Sequence, residues 1–274
     1  MKCGHEIAVA ERLAREAAAI VKSYFGSPIK VDYKPGEGPV TAADREADAL
    51  IRAGLRAQFP DDGLLTEETP DDDSRRRRER VWMVDPLDGT SDFVRGRSGF
   101  AVMIGLGFAG RPLLGVVLAP LSGVLYRAVR GEGAERVDPD GTVTRLAVST
   151  VDELAAIRLV ASKSHRTEAI DRVRGALGVQ DEMNIGSVGL KLGLIARGER
   201  DLYVNPESHA SLWDTCAPEV ILAEAGGRTT DLAGLPLDYL GPSLRHQRGL
   251  VASNGRLHER VIETLRPLFS PSKT

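Results

Sequence analysis

Cysteine is nearly absent from this chain: Cys3 and Cys216 are the only two in 274 residues. That excludes a disulfide scaffold and a cysteine-based zinc site, and it suits a reducing, cytoplasmic setting. Long apolar runs are missing too. The stretch at 104–117 is broken by glycines, Arg111 and Pro112, well short of the ~20 apolar residues a membrane helix needs. Nor is there an excess of one charge. With 36 Lys and Arg against 39 Asp and Glu, no general basic field is present for gripping nucleic acid. The first residues, with Glu6, Glu11 and Arg12 among alanines, read as an amphipathic helix and not as a signal peptide. The expectation is a globular cytoplasmic protein without membrane or nucleic-acid partners, long enough for one large domain or two smaller ones.

What is present gathers around V-W-M-V-D-P-L-D-G-T at 81–90. An apolar run of strand character meets a proline, which argues against an ordinary strand continuation, and Gly89 lets the backbone turn closely past its neighbours. Two carboxylates at a buried strand end are costly unless paired or bound to a cation. No Lys or Arg lies in the motif, so a hard, oxygen-seeking ion such as Mg²⁺ is the natural partner. A surface Asp-Pro/Asp-Gly turn would account for the bare string equally well.

Helical periodicity covers 5–25 and, after a threonine cap at Thr41 with Asp44 three residues on, about 42–59. Between them lies a short strand at 29–33 and a Pro-Gly-rich loop at 34–39. A brief strand at 64–66 leads to Glu67-Glu68. The run D-D-D-S-R-R-R-R at 71–78 reads as a solvated loop, with a phosphate-attracting lid as the alternative. Segments 100–108, 113–119 and 124–129 alternate with turn signals and predict an antiparallel meander, continued by a hairpin through 137–148. From 149 the pattern changes to strands (157–161, 183–185, 202–204) alternating with helices (164–177, 188–196, 213–225), then short strands and a terminal helix from Arg256. This is an α+β (α/β) chain, with an antiparallel half at 1–148 and an α/β half at 149–274. His5, His246 and His258 are expected at the surface or near a terminus.

Asp214, in W-D at 213–214, is placed to cap the following helix, as Asp44 caps its own, and Pro218 is expected in that helix's first turn, where its missing donor does little harm. Taken together, Glu67, Asp85, Asp88 and Asp214 lie at ends of different elements, and such ends can converge as a multi-cation Mg²⁺ site requires. Gly89 and Thr90 supply backbone N–H groups at a helix start, which suits a phosphate oxygen.

V-T-A-A-D at 40–44, the glutamate pair at 67–68, D-P-L-D-G-T at 85–90 and W-D with its helix at 213–227, in this order, resemble the Mg²⁺-dependent, lithium-sensitive phosphomonoesterase superfamily. Inositol monophosphatase, fructose-1,6-bisphosphatase and 3'(2'),5'-bisphosphate nucleotidase belong to it. The resemblance spans nearly the whole chain. It implies a layered α/β/α/β/α sandwich of the sugar-phosphatase type and a catalytic centre with two or three Mg²⁺ ions. Glu67, Asp85, Asp88, Asp214 and the Leu87 carbonyl would be the metal ligands, while Asp44 and Thr90 would orient and deprotonate the attacking water.

S-K-S-H at 162–165 and G-S-V-G-L-K at 186–191 resemble the nucleotidase branch. They imply that Ser162, His165, Ser187 and Lys191 hold a nucleotide and its second phosphate beside Gly89 and Thr90. Lys191 stands in an otherwise apolar helix, where a lysine invites a partner. The implied substrate is adenosine 3',5'-bisphosphate, giving AMP and phosphate and relieving product inhibition in sulfate assimilation. Inositol-1-phosphate, then fructose-1,6-bisphosphate, are the alternatives, together with a catalytically silent metal- or nucleotide-binding homologue. Asp92, and 205–211 without the arginine of some nucleotidases, depart from the branch pattern. A homodimer is implied only by analogy.

Overall fold

The computed structural model describes residues 3–33, 38–162, 168–207 and 210–269. The chain opens with α1 (Gly4–Tyr24), the two-residue strands β1 (Asp32–Tyr33) and β2 (Pro39–Val40), α2 (Ala42–Gln58) and β3 (Gly63–Thr66). Next come β4 (Arg80–Asp88), a single helical turn α3 (Thr90–Val94), and the meander β5 (Ala101–Phe108), β6 (Arg111–Leu118), β7 (Leu125–Val129), β8 (Gly133–Val137) and β9 (Val143–Arg145). The second half contains β10 (Arg158–Ala161), α4 (Glu168–Leu177), β11 (Asp181–Asn184), α5 (Val188–Ala196) and β12 (Leu202–Asn205). It ends with α6 (Leu212–Glu224), β13 (Arg228–Thr230), β14 (Leu250–Ser253) and α7 (His258–Phe269).

Strands β3 to β9 form one seven-stranded sheet in sequence order, antiparallel apart from the β3–β4 pair. A second sheet runs β11-β10-β12-β14-β13, with β11, β10 and β12 mutually parallel. Side-chain alternation along β4 shows how the layers form. Trp82 and Val84 enter the core shared with α1 and α2, whereas Val81 and Met83 enter the core shared with α5 and α6. Helices α5 and α6 therefore lie between the two sheets, apolar on all sides, while α4 and α7 cover the far face of the second sheet. The chain is a layered α/β/α/β/α sandwich. Among the described residues no helix is long and apolar enough to cross a membrane.

Four expectations need correction. The strand does not stop at Pro86: β4 continues to Asp88, because Pro86 lies beyond Val84, the last residue paired with β3, and inside a bulge against β5. Pro218 lies in the second turn of α6 and not in the first, so the carbonyl of Asp214 lacks the N–H that would ordinarily close that turn. The arginine run is not wholly solvated, since Arg75 is buried against Asp71. His258 and His246 are buried: His258 bonds Thr230 and Ser253 through its two ring nitrogens, and His246 bonds Thr215.

Candidate active site

Regular alternation would send residues three apart on a strand to opposite faces. The bulge prevents that. Asp85 pairs opposite Met103 and Asp88 opposite Ala101, so β4 holds one residue more than β5 over this interval. The extra residue restores Asp88 to the face of Asp85 and sends Leu87 to the α1/α2 side. Both carboxylates thus face the middle helical layer, where α6 presents Asp214.

α6 reaches them through a flat patch of sheet. Gly105 and Gly115 sit opposite each other on β5 and β6. A Cβ on Gly115 would lie 2.2 Å from the Ala217 carbonyl oxygen, and one on Gly105 would lie 2.7 Å from the Ala217 nitrogen. Only hydrogen at these positions allows the helix backbone so close to the sheet. At the start of α6, Asp214 closes a capping box by accepting the Ser211 amide at 2.7 Å.

The carboxylates meet as a strongly interacting group. Asp85 is 2% exposed and contacts both Glu67 and Asp214. Burial raises its carboxyl well above the ordinary range, and the charges of Glu67, Asp88 and Asp214 push it further. Burial and the Asp88 charge push Asp214 up to about 7. Asp88 is raised by burial too, but the Lys191 charge and its own donors oppose this. Those donors are the Ser187 hydroxyl at 2.5 Å and the Gly189 amide at 3.0 Å, both at the start of α5.

Among the described residues no three His, Cys, Asp or Glu side chains already stand as a ready ion-binding group. The donor set is nevertheless oxygen only, anionic, buried and mutually repelling. That fits a hard divalent cation, and the group has no use for a soft one.

Beside this group, Asp44 is 1% exposed and held by its cap. Its Oδ2 accepts the Thr41 amide at 2.8 Å and the Thr41 hydroxyl at 2.6 Å. Oδ1 is left to the Thr90 hydroxyl at 3.1 Å, which also lies 3.0 Å from the Leu87 carbonyl. Burial raises the Asp44 carboxyl, against these hydrogen bonds, which lower it.

A cavity of about 190 Å³ opens over these groups. Glu67, Asp88, Gly89, Thr90 and Asp214 line it together with Ser162, which directly follows β10, Lys191 of α5 and Tyr203 of β12. The structure therefore brings together Asp44, Glu67, Asp85, Leu87, Asp88, Gly89, Thr90, Asp214, Ser162 and Lys191. His165 lies outside the described residues. Ser187 is a correction: it is fully buried, caps α5 and gives its hydroxyl to Asp88, so it orients that carboxylate and presents nothing to the cavity.

Lys191 is 1% exposed and does have the partners its apolar surroundings demanded. Its ammonium donates to the Gly186 carbonyl at 2.5 Å and lies 5.0 Å from the Tyr203 ring centroid. Burial pulls it down to about 8, against the charges of Asp88, Asp214 and Asp92. Two contributors were missed in the sequence. Tyr203, the second residue of β12, puts its ring beneath the lysine, and nothing in its local sequence marks it. Asp92 accepts the Gly186 amide at 3.0 Å and so fixes the turn that leads into α5.

The profile of the inositol monophosphatase family matches residues 5–268. The chain belongs to the inositol monophosphatase family. It is accordingly a phosphatase of that family, a hydrolase of phosphate esters, and the family is generally metal-dependent. A relative described as the 3'(2'),5'-bisphosphate nucleotidase CysQ of Escherichia coli K12 is 37% identical over 231 residues, covering 83% of this chain and 91% of that protein. A histidinol-phosphatase of Mycobacterium tuberculosis is 35% identical over 264 residues, covering 95% and 97%. Among solved structures, an IMPase of Thermotoga maritima superposes with a TM-score of 0.83 at 25% identity, covering 96% of this chain and 98% of that one. The sandwich of this family member is thus shared with inositol phosphatases, while its sequence is similar to relatives named for other esters.

Proposed function

We propose that the chain is a Mg²⁺-dependent phosphomonoesterase that removes the 3'-phosphate of adenosine 3',5'-bisphosphate, giving AMP and phosphate. The observation that carries this reading is the buried Lys191 in the lining of the carboxylate cavity, which Ser162 lines as well. A fixed cation beside the reaction centre suits a substrate with a second phosphate better than a monophosphate. Likeness to the E. coli nucleotidase over most of both chains supports it. By limiting adenosine bisphosphate, such an enzyme would serve sulfate assimilation.

Glu67, Asp85, Asp88, Asp214 and the Leu87 carbonyl would hold two or three magnesium ions. When bound, magnesium supplies Lewis acidity toward water and toward the phosphoryl oxygens. The remaining steps fall to the chain. Asp44, immobilised through Oδ2, keeps Oδ1 for Thr90. The Thr90 hydroxyl passes its proton to Asp44 as it takes one from the attacking water, and a carboxyl raised by burial is a better acceptor than an exposed one. The water oxygen bonds to phosphorus as the bond to the 3'-oxygen breaks, and a second water protonates the departing oxygen to give the 3'-hydroxyl of AMP. The buried wall of the cavity limits competing solvent, and Ser187 and Gly189 keep Asp88 in one orientation.

A second reading, histidinol phosphate as substrate, is favoured by the relative from M. tuberculosis. Phosphate release with Mg²⁺ from adenosine 3',5'-bisphosphate, inositol-1-phosphate, fructose-1,6-bisphosphate and histidinol phosphate separates the readings. The bisphosphate should give the highest kcat/KM, and lithium or calcium should inhibit in competition with magnesium. Preference for a monophosphate ester overturns the assignment of Lys191 while keeping the phosphatase chemistry. No turnover of any of the four by the Mg²⁺-loaded protein would favour a binding role instead.

A further inference from the structure

The arginine run at 75–78 does not act as one patch. Arg75 is held inside by Asp71, and Arg76 lies 3.8 Å from Asp73. Arg78 instead borders a cavity of about 270 Å³, which it shares with Arg52 and Arg56 of α2 and with Thr66, Thr69 and Ser74. No residue lines both this cavity and the catalytic one, although Thr66 directly precedes Glu67.

Its polar groups are unevenly satisfied. Two carboxylates line it, and both already have donors. Asp62 accepts Arg80 Nε and Trp82 Nε1, at 2.9 Å each, and Asp72 accepts the Ser74 amide at 2.9 Å. The guanidinia are short of acceptors. Among the described residues Arg52 reaches one carboxylate, Asp48, through Oδ2 at 3.5 Å, while Asp48 Oδ1 is buried without a partner there. Arg56 and Arg78 are exposed, and among the described residues neither has a carboxylate within ion-pair distance; Arg56 acts on Asp72 from farther away.

The second observation is independent of charge. Thr66 lines this cavity and is 3% exposed, and its hydroxyl oxygen is buried with no hydrogen-bond partner among the described residues. A buried hydroxyl without a partner is costly. What the cavity lacks is an anion with several acceptor oxygens. Guanidinium forks with hydroxyls between them match a tetrahedral oxyanion, whereas a cation here would meet three arginines. The space exceeds several times the ~30 Å³ that one water takes up in the liquid.

We propose that this cavity is a second, non-catalytic binding site for a phosphate dianion, either free or as a phosphate monoester. Arg52, Arg56 and Arg78 supply the charge and Thr66 the buried hydroxyl. The proposal does not depend on which ester the enzyme hydrolyses.

Calorimetric titration of EDTA-treated protein with inorganic phosphate, at constant ionic strength in chloride, tests it, because metal-free catalytic carboxylates repel the anion. The wild type should show one saturable site. Arg56→Gln/Arg78→Gln, two exposed positions whose exchange leaves the core alone, should weaken it at least about tenfold. Thr66→Val, of similar shape, should weaken it about fivefold. A parallel titration with AMP identifies the source of the dianion: tighter AMP means a nucleotide phosphate, tighter phosphate means the free ion. No saturable binding by the wild type, or equal affinity in folded variants and wild type, overturns the proposal.

Discussion

Gly115→Ala is the sharpest test of how the fold positions the carboxylates. The added methyl would sit 2.2 Å from the Ala217 carbonyl oxygen, and two further Ala217 backbone atoms lie within 2.8 Å. The obstacle is helix backbone, so no rotamer change relieves it. Either α6 retreats from the sheet by roughly 1 Å or β6 buckles, and misplacement of about 1 Å in a catalytic group can cost ~10²-fold. Asp214 lies one turn before Ala217 and moves with it. Overpacking of this kind also costs about 1–3 kcal/mol, and each kcal/mol lowers Tm by about 2–4 °C in a chain near this size. Initial rates of phosphate release and a thermal melt would be measured on Gly115→Ala and on Gly107→Ala. At Gly107 the nearest atom to a Cβ is Met83 Cε at 3.6 Å, an ordinary contact. Gly107→Ala should behave like wild type, while Gly115→Ala should lose both activity and stability. Wild-type rates in Gly115→Ala would refute the claim that the glycine patch sets the position of Asp214. Lost stability with full activity would mean that the helix yields without moving its first turn.

Three more expectations follow from the same geometry. Asp214→Asn should lower turnover by at least about a hundredfold, while the metal-free protein melts no lower than wild type, because one of several repelling charges is gone; retained turnover would dismiss Asp214 as a ligand. Lys191→Met, which keeps the apolar packing, should raise KM for adenosine 3',5'-bisphosphate far more than for p-nitrophenyl phosphate, and equal changes would remove the ammonium from substrate recognition. His258 is held neutral by burial, its pKa pushed down to about 4 from 6.5, and His246 behaves alike. The unfolded chain binds those protons first, so stability should fall as pH drops from 6.5 toward 4, by on the order of 3 kcal/mol for His258. In His258→Gln the slope of Tm against pH over that window should flatten, and an unchanged slope would show that other groups control acid unfolding.

Much of the site was legible because its residues obey local rules. Thr41 with Asp44, and Asp214 before an apolar run, are capping patterns that a sequence displays openly, and the strand before Asp85 announces itself by its apolar run. The bulge was not legible. It depends on a register between β4 and β5 that no local signal specifies, and without it Asp85 and Asp88 would face opposite layers. The duty of Ser187 was hidden for the same reason, since its partner Asp88 stands 99 residues earlier. His246 and His258 were misplaced because their positions late in the chain suggested the surface, whereas Thr215, Thr230 and Ser253 provide hydroxyl partners that make burial of a neutral imidazole tolerable.

The cost of the carboxylate group explains why its supports are spread through the interior. Asp85 and Asp88 each sit where ionisation is disfavoured by burial and, for Asp85, by three neighbouring charges. A chain that placed such charges on loops could let water screen them, but water would also blur their positions. This fold takes the other course. Bulge, capping boxes and the glycine patch hold the carboxylates from the backbone, while Lys191 and the donors at the start of α5 relieve Asp88. Lys191 also acts on Asp214, yet Asp85 is still pushed up by Glu67, Asp88 and Asp214 together. An ion binding there would gain affinity from the repulsion it removes, and the same ion would stabilise the fold in proportion to its concentration over Kd. Stability and catalysis should thus depend on one ligand, so Mg²⁺ should raise Tm in wild type and do so much less in Asp214→Asn.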